Sequence, residues 1–334
     1  MNTTVTPVFY HKINRKEFDG KVADLSEVIE KEAGVQIRQS GGLGSFSSVS
    51  LRGSSAEQVM VYLDGVLLND GAGGGVDLSN ISLADVQSFE IYRGMSPIQF
   101  DRASIGGVVN FQTIRATPGL KVTAAAGYGS FNTRKFTGFL NHRPEKWTGK
   151  WDYLISADSS SADNDFRFKN DNGTPENPDD DRWEKRHNAE VDQFNMLTRM
   201  GLDVCSDTRL DFINKFFSKN QGLPSWNNRA ETETDFSTDQ NISTLKWVAD
   251  DVSPFHLNTC SRINYLFKTE CYDDSKGHVG LGKQKNEYNT RRLSGTDCQA
   301  RLLLNIKSTI IFGSLVWGQT AKPMRQKTCF PVKP

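Results

Sequence analysis

The rhythm of hydrophobic and polar positions changes near residue 118, and the two sides of that change predict different architectures. Before it, apolar residues come in short runs separated by glycine-rich segments. Leu25, Val28, Ile29 and Ala33 recur at three- and four-residue spacing, which predicts a short helix. Asp24 and Glu27 stand at capping-box spacing in front of it, and Gly34 offers the left-handed residue that stops it. Strands are predicted at 35–38, 49–52, 59–63, 66–68, 88–92 and 108–113, with Asp64-Gly65 as a two-residue hairpin turn. Ser82 caps a brief helix through Asp85, and the Gly/Ser-rich segment 40–48 and the glycine-rich segment 69–75 are loops. The expected first domain, residues 1–117, is therefore α+β: a small mixed sheet with short helices.

From Leu120 the period becomes two. Leu120, Val122, Ala124, Ala126 and Tyr128 share one face, with Lys121, Thr123 and Gly127 on the other. Trp151, Tyr153, Ile155 and Ala157 alternate with Lys150, Asp152, Ser156 and Asp158. Phe194, Met196, Met200, Leu202 and Val204 alternate with Asn195, Arg199 and Asp203, and Phe255, Leu257, Ile263, Tyr265 and Phe267 with His256, Asn258, Arg262 and Asn264. Such segments fit tilted strands of a transmembrane β-barrel with a lipid face and a wet lumen, and taken alone they fit a soluble sandwich equally well. About nine strands are expected between Leu120 and Trp317. Long polar segments at 159–190, 219–239 and 270–285 separate some of them, and short turns near Glu145 and Asp251 separate others. Trp147, Trp151, Tyr128 and Tyr265 stand at strand ends, where they suit an interfacial girdle or any sheet edge. Beyond Trp317 the alternation lapses into a segment rich in proline and lysine, so 318–334 is expected to be an irregular tail, as if shifted in frame.

Charge narrows the function classes. Forty basic and forty acidic residues give a net charge of zero, so no domain-wide basic footprint for nucleic acid exists. With 37% hydrophobic residues and a mean hydropathy of −0.53, no run approaches the roughly 18–20 apolar residues of a membrane-spanning helix. No Ser/His/Asp or Cys/His constellation stands out among five histidines, so no enzyme is expected. Segment 69–75 is not a phosphate loop, because no Gly-Lys-Ser/Thr follows it. The five cysteines, at 205, 260, 271, 298 and 329, leave at least one thiol unpaired in a monomer; a Cys260–Cys271 disulfide is the alternative to free thiols in an oxidising compartment. Asp163, Asp165 and Asp171, with Asp179, Asp180 and Asp181, are candidate oxygen ligands for Ca²⁺. They lack EF-hand spacing, which favours a solvated acidic loop.

Four motifs occur in fixed order: Leu51-Arg52-Gly53, Tyr62-Leu63-Asp64-Gly65-Val66, Tyr92-Arg93-Gly94 and Ile105-Gly106-Gly107-Val108-Val109-Asn110. On these, residues 9–115 resemble the plug domain of the TonB-dependent outer-membrane receptors, with spacing most like the vitamin B12 (cobalamin) branch. Ala33-Gly34-Val35 stands where that family usually carries Pro-Gly-Val.

The resemblance implies a bacterial outer-membrane receptor for active uptake of cobalamin or an iron-siderophore chelate. It also implies a TonB-type energy-transducing partner and outer-membrane lipid around an antiparallel barrel whose N-terminal part is residues 118–317. It places ligand-binding apical loops at Ser40, Leu43, Ser45 and Phe46, and at Asn69, Asp70, Gly71, Gly73 and Gly74. Arg52, Gly53, Asp64, Gly65, Arg93, Gly94, Gly106, Gly107 and Asn110 are expected to act structurally.

Plugged transporters close with about 22 strands, so nine are expected to form an incomplete barrel. The N-terminus has neither the basic nor the apolar part of a signal peptide, and Thr3-Thr4-Val5-Thr6 is a faint echo of the segment that engages TonB. A truncated receptor and a remnant without transport activity both remain open.

Overall fold

Strand pairing in the first unit, Met1–Thr117, is mixed. The computed structural model describes residues 9–18, 25–69, 75–94, 100, 102, 104–144, 151–174, 176–225, 228–252, 257–274, 276, 287–306, 309–319 and 327–328. The strands of this unit are β1 (Phe9–Asn14), β2 (Val35–Gln39), β3 (Ser47–Leu51), β4 (Val59–Leu63), β5 (Val66–Leu67), β6 (Val86–Arg93) and β7 (Gly107–Thr113), and α1 spans Leu25–Ile29. Five strands form a sheet in the order β1-β6-β7-β4-β5, with β4 and β7 parallel; β2 and β3 pair separately. Register sets Ile13, Phe89, Phe111 and Leu63 in one row and Ile91, Val109 and Val61 in the next, all buried. Each such side chain contributes roughly 1.5–3 kcal/mol on leaving water.

Local sequence explains most of these elements. Asp64 and Gly65 have φ of 49° and 81°, the positive angles that a two-residue hairpin demands, so β4 and β5 fold back as expected. Ser82 accepts from the Ala84 amide and caps a 3-10 turn over Leu83–Asp85. The expected helix, however, stops at Ile29 rather than running to Ala33. Once Leu25, Val28 and Ile29 are buried, Ala33 is exposed and adds nothing to the core; the Glu32 and Val35 amides then bond three residues back, to Ile29 and Glu32. Gly34, at φ 76°, turns the chain into β2. The proposed cap Asp24 lies outside the described residues. Strand β1 was not expected, and β3 begins two residues before the predicted 49–52 and ends where Arg52 turns to φ 50°.

The second unit, Pro118–Pro334, is antiparallel throughout. Its strands are β8 (Gly119–Tyr128), β9 (Arg134–Arg143), β10 (Trp151–Ala162), β11 (Arg167–Asn170), β12 (Arg182–Lys185), β13 (Val191–Asp203), β14 (Thr208–Gly222), β15 (Asp235–Val252), β16 (Leu257–Asp274), β17 (Glu287–Ile306), β18 (Thr309–Gln319) and β19 (Lys327–Thr328). Ten form one sheet: nine run in the order β8-β9-β10-β13-β14-β15-β16-β17-β18, and the short β19 pairs with β17. Its ends, β8 and β18, pair with no further strand among the described residues, so the sheet is an open partial barrel.

Three expectations change. The segment 159–190 is not all loop: β10 continues to Ala162, and β11 and β12 form a separate hairpin within it. The loops expected at 219–239 and 270–285 are shorter, because β14 reaches Gly222, β15 starts at Asp235 and β16 runs to Asp274. Within the expected tail, Lys327–Thr328 pairs with Asn289 and Thr290 of β17.

The Cys260–Cys271 disulfide is also overturned. Both residues lie on β16, eleven positions apart and therefore on opposite faces, at roughly 37 Å by the strand rise. A disulfide needs Cα atoms within about 7 Å. Cys298 lies opposite Ile263 in register, and Cys329 is outside the described residues.

Candidate functional site

Two loops of the first unit were expected to meet ligand, and the chain holds them differently. Segment 40–46 joins β2 to β3 and is closed on itself: the Ser40 amide and hydroxyl both donate to the Phe46 carbonyl, at 3.2 and 3.3 Å, and the Ser45 amide donates to Gly42 O at 3.2 Å. Leu43 and Ser45 are half-buried, whereas Phe46 stays exposed at the loop's base, the one large apolar side chain this loop presents to its surroundings.

Asn69 has a different occupation. Its Oδ1 accepts from the Val61 amide at 2.7 Å and its Nδ2 donates to Val59 O at 2.9 Å, so the side chain takes the place of a strand along the edge of β4. The residue thereby anchors the start of the second loop; Asp70, Gly71, Gly73 and Gly74 lie outside the described residues. Asn69→Ala is expected to cost about 1–3 kcal/mol, because the two β4 backbone groups lose their partner. A shift in the denaturant midpoint of the full chain reports it, and an unchanged midpoint would contradict the anchoring role.

The motif residues are structural in detail. Arg52 and Gly53 make a turn with φ of 50° and 79°. Asp64 receives the Thr113 amide at 3.0 Å and the Thr113 hydroxyl at 2.5 Å, locking the hairpin to the end of β7. Arg93 ends β6 and Gly94 follows at φ 112°. Gly106 and Gly107 are buried where the chain enters β7, with Ser104 Oγ accepting from the Gly107 amide at 2.9 Å.

Asn110 belongs to a network that sequence reasoning missed. On the sheet face opposite the aliphatic rows, Glu90 is 8% exposed and accepts from Tyr92 Oη at 3.0 Å, Asn110 Nδ2 at 3.2 Å and Gln112 Nε2 at 3.1 Å. Lys12 of β1 lies 3.4 Å from the same carboxylate. A buried carboxylate with this many donors is well compensated and ties β1, β6 and β7 together. The signal available in sequence was a glutamate inside the apolar run Phe89-Glu90-Ile91.

In the second unit, two asparagines in the left-handed region bind separate loops into one rim. Asn188 Nδ2 donates to Leu223 O at 2.9 Å and Thr234 O at 2.8 Å. Asn228 Nδ2 donates to Glu184 Oε2 at 3.0 Å and Lys185 O at 2.8 Å, while its Oδ1 accepts from the His187 amide at 3.0 Å. Phe131, Phe166 and Phe168 meet edge to face, and Arg186 stands over the Phe168 ring at 5.3 Å.

The Asn228 and Asn170 amides hold the Glu184 carboxyl below its ordinary pKa. A depressed carboxylate pKa means the junction is fully stabilised above the ordinary glutamate value and loses that contribution as pH falls through the lowered one. Corrected amide-exchange protection at Asn228 is therefore expected to fall in acid below the usual carboxylate range. Glu184→Gln is expected to remove that dependence; an unchanged acid profile in the variant would rule out Glu184 as its source.

The three candidate calcium ligands are not brought together. Asp163 accepts from Asn132 Nδ2 at 3.3 Å, Asp165 pairs with Lys185 at 2.6 Å, and Asp171 accepts from the Gly173 amide at 3.1 Å. No group of three or more His, Cys, Asp or Glu side chains arranged for a metal occurs among the described residues.

The two faces of the large sheet have inverted polarity. In register across β10, β13, β14, β15 and β16, Tyr153, Met200, Phe212, Leu245 and Ile263 form one row, and all are exposed. One residue along each strand, the opposite face reads Leu154, Arg199, Ile213, Thr244 and Asn264, all buried. Lys215, Lys219, Asn195, Ser156 and Thr238 extend this buried face. A water-soluble sheet buries its apolar face; this one buries a mixed face, where Leu197, Phe217 and Ile242 stand among the polar residues, and exposes aromatic and aliphatic side chains, the arrangement that a lipid surround favours. No helix among the described residues is long and apolar enough to cross a membrane.

Comparison with known proteins agrees with both units. Residues 4–108 match the family model of the TonB-dependent Receptor Plug Domain. The FrpB iron transporter of Neisseria meningitidis superposes with a TM-score of 0.69 at 14% identity, over 90% of this chain and 45% of that one. The alcaligin outer-membrane receptor FauA of Bordetella pertussis gives 0.67 at 13%, over 92% and 45%. The ferric enterobactin receptor of Pseudomonas aeruginosa in complex with enterobactin gives 0.65 at 14%, over 89% and 47%. The chain thus spans less than half the length of these solved chains, and at such identities the likeness concerns the fold. These neighbours are iron and siderophore receptors, so the leaning toward the cobalamin branch is not supported. Residues 4–108 thus match a TonB-dependent receptor plug domain, and the antiparallel sheet that follows has the fold of part of a β-barrel.

Proposed function

We propose that this chain supplies the plug and the first strands of a TonB-dependent outer-membrane receptor that takes up a ferric siderophore. The observation that carries this reading is the inverted polarity of the second unit directly after a matched plug domain. The buried polar face, with Arg199, Lys215, Lys219 and Asn264, is the lumen wall; the exposed row through Phe212 and Leu245 faces lipid. Segment 40–46 with Phe46, and the loop that Asn69 anchors, are the plug's ligand-facing loops. A TonB-type inner-membrane complex supplies the energy by acting on the segment that precedes β1. No covalent chemistry is involved. The ligand class follows the named neighbours, which include a receptor with enterobactin bound.

The open sheet sets a condition. Strands β8 and β18 pair on one side only among the described residues, and each unsatisfied backbone group in hydrocarbon costs several kcal/mol, so transport requires further strands. Expressed with complementary barrel strands in a receptor-deficient strain, the chain is expected to give TonB-dependent accumulation of a ferric siderophore from a labelled panel and none of cobalamin. Expressed alone it is expected to give no uptake. Uptake that persists without TonB, or accumulation of cobalamin, would contradict the proposal.

A further inference from the structure

A cation at the rim of the second unit lacks a counter-charge. Arg186, just beyond β12, is half-buried, and its guanidinium makes neither a hydrogen bond nor an ion pair with any described residue. The contact it does make is with the Phe168 ring, at 5.3 Å. Burial pulls its pKa below the ordinary arginine value, and no neighbouring acid opposes the shift. Three acids of the hairpin are committed elsewhere. Asp165 pairs with Lys185 at 2.6 Å, Asp181 with Lys169 at 2.6 Å, and Glu184 takes Arg182 Nε at 3.4 Å together with the amides of Asn170 and Asn228. Arg209, by contrast, meets three carboxylates.

Rings continue from this cation. Phe168 meets Phe166 edge to face at 6.3 Å, and Phe166 meets Phe131 in the same way at 6.3 Å. Phe131 belongs to the β8–β9 turn and has φ of 56°, a conformation that a bulky side chain keeps only under constraint. The Asp163 amide donates to the Phe131 carbonyl at 2.9 Å, and Asn132 Nδ2 donates to Asp163 Oδ1 at 3.3 Å. The turn is thereby pinned to the chain leaving β10, with Phe131 47% exposed. We infer that Arg186 with Phe131, Phe166 and Phe168 forms a recognition site for an anionic aromatic group, which selects catecholate chelates over aliphatic ones. The inference rests on the receptor reading above and narrows its ligand class. A partly desolvated guanidinium without a counter-ion is costly, and an anion that supplies the missing acceptors recovers that cost on binding. The planar fork suits two adjacent oxygens, as a catecholate carries them. The rings add edge and face contacts that an aliphatic ligand returns poorly.

The test uses the full chain with complementary barrel strands in detergent micelles, dialysed to equilibrium against two iron-labelled probes, a ferric tris-catecholate and a ferric trihydroxamate. Arg186→Gln is expected to weaken tris-catecholate binding roughly tenfold and Phe131→Leu roughly threefold, with neither altering any trihydroxamate binding. Arg167→Gln removes an exposed cation from the other face of the β11–β12 hairpin and is expected to change neither probe. Free dihydroxybenzoate is expected to compete with the tris-catecholate, and inorganic phosphate is not.

A second readout separates binding from support. A residue that only held the hairpin together would weaken it when removed. Arg186→Gln is instead expected to leave amide-exchange protection of β11 and β12 unchanged or raised, because a charge without a counter-ion leaves with it. Tris-catecholate binding that either Arg186→Gln or Phe131→Leu leaves intact, equal losses in Arg186→Gln and Arg167→Gln, or competition by phosphate would overturn this site while leaving the receptor reading in place. So would a preference for the trihydroxamate, or lost protection in Arg186→Gln. Binding of neither probe would overturn both.

Discussion

Gly107→Ala is expected to destabilise the plug by about 3 kcal/mol or more, among the largest single-residue effects in the first unit. Gly107 has φ of 123°, where side chains are strained, and it opens β7. A Cβ there would sit 2.5 Å from the Tyr92 carbonyl oxygen and 2.8 Å from Leu51 Cδ1. Neither neighbour can give. Tyr92 belongs to β6, whose ladder with β7 it would have to break, and Leu51 is 1% exposed in the core. Gly53→Ala is the control: its φ of 79° is also positive, but nothing lies within 4 Å of the new atom. It is expected to cost only about 1 kcal/mol, the backbone penalty alone. Amide exchange of β7 under native conditions, compared between the two variants, separates steric from conformational cost. Equal effects would contradict the packing account.

The second large effect is expected at Arg209, on the buried polar face near the start of β14. Its Nη2 reaches both oxygens of Asp152, at 2.8 and 3.0 Å, its Nη1 reaches Asp203 at 2.7 Å, and its Nε reaches Asp211 at 2.9 Å. One guanidinium thus binds β10, β13 and β14, and the fork is what lets a single residue serve three carboxylates. Gly201, in register between Asp152 and Asp211, makes the crossing feasible, since a Cβ there would lie 2.7 Å from Arg209 Cζ.

Arg209→Leu would leave three carboxylates facing one another, with the Asp152 side chain only 6% exposed. The expected loss is about 3 kcal/mol, the low end for a buried cation because Arg209 itself is 28% exposed. Arg209→Lys keeps the charge but not the fork and should recover part of it. Adding Asp152→Asn to Arg209→Leu should recover more by removing the most buried of the three carboxylates, which Arg143 Nε reaches only at 3.9 Å. If the double variant were no more stable than Arg209→Leu alone, electrostatic orphaning would not be the cause.

Features dictated locally were legible before any coordinates. Asp64-Gly65 could only be a tight turn, Ser82 a cap, and the period of two beyond Leu120 a set of strands. The features that escaped were fixed by partners distant in sequence. Strand β1 reads Phe-Tyr-His-Lys-Ile-Asn, with no clean alternation; it is a strand because β6, more than seventy residues away, pairs with it. Glu90 interrupts an apolar strand, and what keeps it there is the convergence of Lys12, Asn110 and Gln112, remote in sequence. Asn69 sits in a loop that looked built for ligand, yet its amide completes the edge of β4. The helix overshoot has the converse cause: Ala33 fitted the helical spacing, but no tertiary neighbour covers it. In the second unit, periodicity located the two faces and left open which one meets water. The burial of Arg199, Lys215 and Asn264 against the exposure of Phe212, Leu245 and Ile263 favours lipid on the apolar side.

That polarity is the central claim, and site-directed spin labelling tests it most directly. In a cysteine-free background reconstituted in lipid with complementary strands, labels are placed singly at positions 212, 213, 244, 245, 263 and 264. The account predicts that dissolved oxygen reaches labels at 212, 245 and 263 more readily than a water-soluble nickel complex does. Labels at 213, 244 and 264 should be shielded from the lipid phase. Equal access of the nickel complex to both sets, or preferential oxygen access at 213, 244 and 264, would contradict it.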